Sequence, residues 1–450
     1  MLFIYNLIVV FADFILKIVA LFNKKIYLFV EGRKPVFKIL SNKIKAYDKT
    51  IWFHAASLGE YEQGLPVMER MKSRFPNHLI VLTFFSPSGY EVRKNNTIAD
   101  VTVYLPLDIL SNVKQFMEIV RPDMVFFIKY EYWPNYLNAL KNKEIPTYLI
   151  SGIFREKQVF FKWYGGFYRK ALDAFEYFFV QNSSSKELLL QLGKTNVTVS
   201  GDTRFDRVAS ILNRDNSLEF IEEFKNNSLT IVVGSSWPKD ESLLVSYINS
   251  TENVKFIIAP HTINKDQIAN LKSQISKKTI LFSSINFDEI GASKLADYDV
   301  FIIDTIGILT KIYRYADIAY VGGGFGNPGV HNILEPATFG VPIIIGPNYS
   351  HFQEATALVN MEGCISISTQ VELNEAFDNL IQNEAVRFEK GHICSTFVEM
   401  NKNATETIMN YIIQKKTKNE TFKITSIIIF CSRSSATRRN VDSFSIARNE

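Results

Sequence analysis

The chain has 450 residues, which is enough for two domains of ordinary size, each with its own core. With 47% hydrophobic and 21% charged residues it is typical of a globular protein and not of a disordered one. A net charge of +4 gives no argument for a nucleic-acid partner, and three cysteines without metal-ligand spacing indicate neither a metal site nor a disulfide framework, so we expect a reducing compartment.

The chain begins with the apolar run MLFIYNLIVVFADFILKIVALF, which is followed by basic residues. As a helix, this run is long enough to cross a bilayer at about 1.5 Å per residue. Its basic flank lies on the C-terminal side, unlike that of a signal peptide, and favours a cytoplasmic position for the rest of the chain. Asn6, Asp13 and Lys17 form one narrow polar stripe. We predict a membrane-anchor helix that spans the bilayer or lies in its interface; the third possibility is a buried core helix.

Strand-like apolar runs alternate with helical patterns after this segment, in two sets separated by the polar stretch 201–228. Runs this apolar are typical of strands covered on both faces, and the helices between them favour parallel sheets. The first set is IWFHAAS, LIVLTFF, DMVFFIK, TYLISG, YFFVQN and VTVSGD, and the second is TIVVGSS, VKFIIAP, TILFSS, DVFIIDT, IAYVGG and PIIIG. The pattern predicts two doubly wound α/β domains in tandem, with ligands at the carboxyl ends of the strands.

Four segments follow from this pattern. We predict an anchor helix over residues 1–22, an N-terminal Rossmann-like domain over 23–210, a C-terminal one over 211–414, and a tail over 415–450. The tail is rich in serine and arginine and does not continue the alternation, so we expect it to be poorly ordered.

Glu60 lies where the strand-like run IWFHAAS changes to helical periodicity in SLGEYEQG. A carboxylate at a helix start is either a favourable first-turn acid or a catalytic base, and the local pattern does not decide between them. The partial positive charge of the helix start should lower the pKa of this carboxyl, and we expect a partly dehydrated cleft to offset that effect.

Two further groups of the first half are candidates for a site. Glu131 follows a strand end in FFIKYEYWPNYL, beside Trp133 and Pro134. Arg204 in SGDTRFDRV lies near the expected domain junction, where a fixed cation could meet a phosphate or carboxylate. The structural alternative for each is a surface charge or an ion pair.

The stretch YVGGGFGNPGVHNILEPATFGVPIIIGP, residues 320–347, carries the strongest binding pattern. Its glycines let backbone approach a ligand closely, and a helix start near Asn332 offers N–H groups to an anion. Glu335 lies one turn into that helix, where it could accept two ribose hydroxyls; the alternative is a capping acid in a tight turn. His261 and residues 305–308 follow neighbouring strand ends and are expected to line the same nucleotide pocket. Because no HExxH, CxxC or acidic cluster is present, we predict no metal and no cofactor.

Taken in order, HAASLGE, YEYWPN, SGDTRFD, APH, DTIGIL and the glycine-rich segment resemble the 3-deoxy-D-manno-octulosonic acid (Kdo) transferases of lipopolysaccharide synthesis. The resemblance runs from the hydrophobic segment to about residue 410. It implies the GT-B fold, in which two Rossmann-like domains face a cleft. It also implies CMP-Kdo as donor, a lipid A precursor (lipid IVA) as acceptor, and inverting transfer without a catalytic metal. The implied location is the bacterial inner membrane, with the catalytic domains on the cytoplasmic side.

The resemblance assigns roles position by position. Glu60 matches the general base, and Glu131 and Arg204 match groups that assist the transition state. The CMP-binding segments match Pro260, His261, Ile306, Gly307, Ile308, Asn332, Ile333, Leu334 and Glu335. Lys129 departs from the family pattern because an acid is frequent there. His261 also departs, since arginine is frequent there and a neutral imidazole cannot replace a guanidinium on a phosphate.

Two other functions stay open at this point. A different GT-B enzyme, such as a UDP-dependent nucleotide-sugar transferase or epimerase, would use the same glycine loop and Glu335, although HAASLGE and YEYWPN favour Kdo transfer. A catalytically silent membrane scaffold would have no need to keep Glu60, Glu131, Arg204 and Glu335 together.

Overall fold

A computed structural model describes residues 1–285, 292–327 and 329–418 of the chain. It contains two compact units, one formed by Met1–Thr203 with the chain from Asn403 on, and one formed by Arg204–Lys402. The sequence predicts boundaries after residues 210 and 414. The second division falls earlier because a helix over 404–418 buries Ile408, Met409 and Ile412 against the sheet of the first unit. Of the predicted tail, 415–418 belong to this helix, and 419–450 lie outside the described residues.

The first unit is built on a parallel seven-stranded sheet with the order β3-β2-β1-β4-β5-β6-β7. Its strands are β1 Lys49–Ala55, β2 His78–Phe84, β3 Val101–Tyr104, β4 Pro122–Ile128, β5 Thr147–Gly152, β6 Tyr177–Val180 and β7 Val197–Val199. Its helices are α1 Leu2–Val19, α2 Lys24–Glu31, α3 Val36–Lys43, α4 Leu58–Arg74, α5 Pro87–Arg93, α6 Leu110–Val120, α7 Pro134–Asn142, α8 Gly166–Ala171, α9 Ser183–Gln191 and the returning helix over 404–418.

The second unit has a parallel seven-stranded sheet of its own, with the order β10-β11-β9-β8-β12-β13-β14. Its strands are β8 Leu229–Ser236, β9 Val254–Pro260, β10 Thr279–Leu281, β11 Val300–Ile302, β12 Ile318–Val321, β13 Ile343–Ile345 and β14 Cys364–Ser366. Helix α10, Thr203–Ala209, crosses the division, and the later helices are α11 Glu219–Lys225, α12 Pro238–Ser250, α13 Lys265–Gln274, α14 Leu309–Ile312, α15 Leu334–Thr338, α16 Gln353–Asn360, α17 Gln370–Gln382 and α18 Glu384–Asn401. Short 3₁₀ segments occur at Val159–Phe161, Leu172–Ala174, Ser210–Asn213, Phe282–Ser284, Ala292–Asp297 and Tyr313–Tyr315.

Local sequence determines where several helices begin. The side chains of Asn182, Asn264 and Thr369 accept hydrogen bonds from the first-turn N–H groups of α9, α13 and α17. Proline opens α5, α7 and α12, where its missing N–H costs nothing. These signals stop each strand-to-helix connection at a defined residue at the carboxyl end of the sheet.

Both sheets are covered on both faces, as the continuous apolar runs predict. Trp52 and Phe53 are neighbours on β1, fully buried, and belong to hydrophobic clusters on opposite faces of the sheet. Val232 and Val233 of β8 divide in the same way between the two clusters of the second unit. The predicted fold class is therefore confirmed: two parallel α/β sheets of the Rossmann type.

The sequence misses β3 and β14. Both strands are short and lie at sheet edges, where burial on only one side leaves a weaker apolar signal.

Each sheet has one point at which the strand order reverses, between β1 and β4 in the first unit and between β8 and β12 in the second. Ligands of open α/β sheets bind outside the carboxyl ends of the strands at such a point. The segment SLGE follows β1 and YEYWPN follows β4, while the glycine-rich loop follows β12. These three predicted site segments therefore lie at the two reversal points.

Candidate active site

Glu60 lies in the first turn of α4 and is almost fully buried, with 4% of its surface exposed. Its Oε2 accepts hydrogen bonds from the backbone N of Ser57 at 2.7 Å and from Ser57 Oγ at 2.8 Å. With the backbone bond to the Ser57 side chain, these contacts form a capping box. The carboxylate is thus the side-chain cap of α4, held through one of its two oxygens by Ser57.

Burial raises the pKa of the Glu60 carboxyl above its ordinary value of 4.5, and the charge of Glu131 raises it further. The hydrogen bonds from Ser57 and the charge of Lys129 act in the opposite direction. The lowering expected from the helix start therefore does not decide the balance, because removal from water outweighs it. A carboxylate with a raised pKa is a stronger base.

Glu131 follows β4 and is held by two aromatic side chains. Its Oε2 accepts a hydrogen bond from Trp133 Nε1 at 2.9 Å and lies 3.3 Å from His54 Nε2. His54 is fully buried on β1, and its Nδ1 lies 2.8 Å from Thr83 Oγ1 of β2. The pairing of β1 with β4 therefore brings HAASLGE and YEYWPN into direct contact. The sequence does not predict His54 as a site residue, because a histidine inside an apolar strand is typical of a core residue.

Lys129 is the first residue after β4 and has φ of +69°. A side chain in this left-handed region costs about 1–2 kcal/mol, so the turn that aims this residue is strained. Its charge acts on the Glu60 carboxyl. Lys129, where the resemblance leads us to expect an acid, thus brings a positive charge that acts on Glu60.

Arg204 belongs to the second unit, where its guanidinium lies 2.8 Å from Glu354 Oε1 in the first turn of α16. Glu60 and Glu131 belong to the first unit. The structure therefore gives Arg204 an ion-pair partner within the second unit.

The second reversal point carries a cavity of about 240 Å³. It is lined by Ser235, Gly307, Leu309, Thr310, Tyr313, His331, Asn332 and Glu335. Glu335 accepts hydrogen bonds from Thr310 Oγ1 at 2.7 Å and from Asn332 Nδ2 at 2.9 Å, one on each oxygen. Three of the predicted CMP-binding residues, Gly307, Asn332 and Glu335, thus meet at one cavity, with the carboxylate held in a fixed orientation.

Other residues of the predicted CMP segments point elsewhere. The side chains of Ile333 and Leu334 are buried in the core, so only their backbone is available to a ligand. Ile306 is 86% exposed, and Ile308 packs partly against the core. Helix α15 begins at Leu334, two residues after the predicted start.

The glycine-rich loop is held by the carboxylate of Asp240, which the sequence does not predict as a site residue. Gly323 has φ of +94°, and a Cβ there would lie 2.4 Å from the carbonyl oxygen of Gly329. The fully buried Asp240 accepts hydrogen bonds from the backbone N–H groups of Gly323 and Trp237, each at 2.9 Å. The start of α12 and the end of β12 are therefore joined through one side chain.

His261 takes part in an aromatic stack. Its ring lies 4.6 Å from that of Trp237 and 4.3 Å from that of His331, and Trp237 Nε1 donates to His331 Nε2 at 2.9 Å. Burial lowers the pKa of His261 and lowers that of His331 to about 4, so both rings are neutral at pH 7. Pro260 ends β9 and lines a separate pocket beside Trp237.

Across residues 1–285, 292–327 and 329–418, no group of three or more His, Cys, Asp or Glu side chains is arranged to hold a metal ion. Cys364 and Cys394 are buried free thiols.

Comparison with known proteins connects these sites to a family. Residues 31–207 match the family model described as 3-deoxy-D-manno-octulosonic-acid transferase (kdotransferase). A curated relative, the 3-deoxy-D-manno-octulosonic acid transferase of Chlamydia trachomatis serovar D, is 29% identical over 392 residues, which cover 84% of this chain and 88% of the relative.

Solved structures share the fold at low sequence identity. UDP-GlcNAc 2-epimerase from Neisseria meningitidis superposes with a TM-score of 0.56 and 14% identity, covering 81% of this chain and 100% of the epimerase. A glycosyltransferase from Rickettsia africae superposes with a TM-score of 0.51 and 14% identity, covering 83% and 100%. The fold of the chain is thus that of GT-B proteins.

Proposed function

Because the chain belongs to the Kdo transferase family and is therefore a glycosyltransferase, we propose that it transfers Kdo from CMP-Kdo to the lipid A precursor lipid IVA. The observation that carries this proposal is the carboxylate pair at the first reversal point. Glu60 is buried with a raised pKa, and Glu131 is fixed by Trp133 and His54.

In this proposal Glu60 acts as the general base. Its carboxylate takes the proton of an acceptor sugar hydroxyl while that oxygen bonds to the anomeric carbon of Kdo. The bond between this carbon and the phosphate oxygen breaks, and CMP leaves with the electron pair as an anion. One displacement of this kind inverts the anomeric configuration. A positioned base contributes about 10²–10⁴-fold to such a step, and the raised pKa of the Glu60 carboxyl increases its basicity.

The first unit also supplies a charge near this base. The charge of Lys129 opposes the rise in pKa that burial causes in Glu60, and so favours the ionised carboxylate that can accept a proton. Glu131 raises the same pKa. We assign Glu131 to assistance of the transition state, because its hydrogen bonds to Trp133 and His54 keep it in one orientation.

We assign donor binding to the second unit. The cavity at the second reversal point has Glu335 with both oxygens oriented, which suits acceptance of two ribose hydroxyls. Gly307 and the glycine-rich loop allow backbone N–H groups to approach a phosphate. Arg204 supplies a cation that can stabilise the departing phosphate.

The neutral stack of His261 and His331 makes a phosphate contact by His261 unfavourable. We instead assign this stack, with Trp237, to the wall of the donor site.

A lipid acceptor requires the chain to work at a membrane surface, which we propose is the cytoplasmic face of the bacterial inner membrane. The support for attachment is α1, which is long and apolar enough to cross a bilayer.

The test is transfer by the purified full chain, given CMP-Kdo and a tetraacylated lipid A precursor in detergent. We expect release of CMP and a product whose mass increases by one or more Kdo residues. Parallel reactions with UDP-GlcNAc examine the alternative suggested by the shared fold. Absence of Kdo transfer by the unmodified chain, or turnover of the UDP sugar instead, contradicts the proposal.

A further inference from the structure

Helix α1 is tied to the first unit near its N-terminal end. The Tyr5 hydroxyl donates to the carboxylate of the buried Asp108 at 2.7 Å, and Asn135 Nδ2 donates to Asn6 Oδ1 at 2.7 Å. The ring of Tyr5 also lies 5.6 Å from that of Phe167 on α8. These contacts hold the first turn and a half of the helix on the folded domain.

The other end of α1 is tied as well. Ala20, directly after the helix, is buried, and α1 contacts α2. Between the two ends, the partly covered positions recur every three or four residues, at Tyr5, Asn6, Val9, Asp13 and Leu16. Such positions form one stripe along a helix. Since Tyr5 and Ala20 are about 22 Å apart at 1.5 Å per residue, α1 lies lengthwise along the unit.

The opposite face of α1 is apolar and exposed. Its exposed large hydrophobic residues are Leu2, Phe3, Ile4, Leu7, Ile8, Val10, Phe11, Phe14, Ile15, Ile18 and Val19, continued by Leu21 and Phe22. A helix that stood across a bilayer would have to leave the domain at one end. Here the polar residues Asn6 and Asp13 lie on the stripe toward the domain, and only Lys17 extends outward, where it pairs with Asp13 at 2.7 Å.

Two further exposed features accompany this face. Trp163 is 91% exposed and Tyr164 follows it, four and three residues before the Phe167 that contacts α1. Four extended residues span at most about 14 Å, so this aromatic pair lies near the helix. Tryptophan and tyrosine favour the headgroup level of membranes. The exposed Lys24 and Lys25 begin α2, directly after the apolar face, and suit anionic lipid headgroups.

We propose that α1 does not cross the membrane but lies in its interface. The apolar face of α1, together with Trp163 and Tyr164, enters one leaflet of an anionic phospholipid bilayer, and the lysines of α2 contact its headgroups. Of the two modes that the sequence leaves open, the contacts of Tyr5 and Asn6 favour the interfacial one.

This arrangement connects the membrane surface to the first reversal point. Asp108, the partner of Tyr5, also accepts the backbone N–H groups of Asn135 and Tyr136, each at 3.0 Å, at the start of α7. The residue before α7 is Trp133, which holds Glu131. As a consequence, the catalytic groups lie at a fixed height above the lipid that carries the acceptor sugar. This consequence, unlike the interfacial position of α1, rests on the proposed function.

Topology is tested without any transferase activity. In a Cys431→Ser background, Phe3→Cys is placed at the N-terminal end of α1, and Tyr47→Cys, at an 84% exposed loop residue, is the control for the domain side. Native membrane vesicles of both orientations are treated with a membrane-impermeant maleimide. We expect no labelling of position 3 from the face opposite to Tyr47→Cys. Labelling of position 3 from that face shows a spanning helix and overturns the proposal.

Contact with lipid is tested by tryptophan fluorescence in vesicles of phosphatidylglycerol and phosphatidylcholine that carry brominated acyl chains. We expect bromolipids to quench the unmodified chain, and Trp163→Ser to lose most of that quenching. Quenching that persists unchanged in Trp163→Ser, or no quenching of the unmodified chain, overturns the role of this loop. Disulfide-linked dimers of Phe3→Cys in membranes would assign the apolar face to a second copy of the chain instead.

The positioning role is tested with the double variant Tyr5→Phe, Asn6→Ala, with Tyr47→Phe, at an exposed loop residue away from α1, as control. We expect an increase of about tenfold in the apparent KM for acceptor embedded in vesicles, with an unchanged KM for CMP-Kdo and unchanged transfer to acceptor in detergent. An equal loss in vesicles and in detergent would show a purely structural effect and contradict the positioning role. Absence of transfer by the unmodified chain would count against the proposed function and not against the topology.

Discussion

The two units carry different chemistry at the same point of similar sheets. At the first reversal point stand two carboxylates and a lysine, with Glu60 nearly buried and Glu131 bonded to aromatic side chains. At the second stand glycines, neutral histidines and one oriented carboxylate, Glu335. The topology supplies a position for a ligand, while the residues after each strand determine whether that position suits proton transfer or nucleotide binding.

The two reversal points nevertheless share one backbone feature. Lys129 after β4 and Ser235 in β8 both have positive φ, +69° and +54°. Strain of this kind persists where the surrounding structure holds the backbone, and it concentrates at functional sites. Eight other described non-glycine residues also have positive φ, so this feature accompanies the two reversal points without identifying them.

The largest expected effect is a loss of kcat on substitution of Glu60 in the first site. Glu60→Gln should lower kcat by about 10²–10⁴-fold, because the amide cannot take a proton, while its oxygen can still accept the N–H of Ser57. Steady-state kinetics measures this loss. Glu372 is a matched control, since it also lies in the first turn of a helix and accepts the backbone N–H of Ser368 at 2.6 Å. Glu372→Gln should leave kcat unchanged, and full activity of Glu60→Gln would remove Glu60 as the base.

A single methyl group added to the glycine-rich loop of the second site should lower the stability of the second unit. Gly323→Ala should destabilise the second unit by about 3 kcal/mol, because the new Cβ adds overpacking against Gly329 to left-handed strain. Gly193→Ala is the control, since Gly193 also has positive φ, +74°, but an added Cβ there would meet no described atom within 4 Å. That substitution should therefore cost only about 1 kcal/mol. Urea unfolding measures both. Equal costs would show that the loop can relax around the added group.

Loss of the oriented carboxylate should affect donor binding more than chemistry. Glu335→Gln should raise the KM for CMP-Kdo roughly 10- to 100-fold, the value of a charge-assisted hydrogen bond, with a smaller change in kcat. Initial rates at varied donor concentration measure it, and Glu389→Gln on the exposed face of α18 is the control. A loss confined to kcat would move Glu335 from binding to catalysis.

The smallest effect is a pH dependence that belongs to the first site alone. Glu60 must be ionised to act as a base, and its pKa lies above 4.5, so kcat/KM should fall as the pH is lowered through that raised pKa. The fall should approach tenfold per pH unit. The pKa of His331 is lowered to about 4, so a fall of kcat/KM at higher pH should not come from this histidine. The residual activity of Glu60→Gln should not show this fall of kcat/KM at acidic pH. If the fall stays at the same pH, another group is responsible for it.

What the sequence predicts well is what depends on neighbours along the chain. The apolar runs predict both sheets, S-L-G-E places Glu60 at a helix start, and the glycine-rich stretch places Glu335 at the end of β12. The missing parts depend on residues brought together by folding. His54 meets Glu131 only because β1 pairs with β4, and Asp240 meets Gly323 only because β8 lies beside β12.

The pKa of Glu60 shows the same limit. The helix start is visible in the sequence, and it should lower the pKa. Burial by surrounding residues is a tertiary effect and reverses the sign.

The central claim is that the base lies in the first unit and the nucleotide site in the second. Calorimetric titration of CMP into the unmodified chain and the two glutamine variants, alongside the transfer assay, tests it most directly. We expect Glu60→Gln to bind CMP with unchanged affinity while transfer is lost, and Glu335→Gln to bind CMP at least tenfold more weakly. Loss of CMP affinity in Glu60→Gln together with unchanged affinity in Glu335→Gln would contradict the assignment of base and nucleotide to separate units.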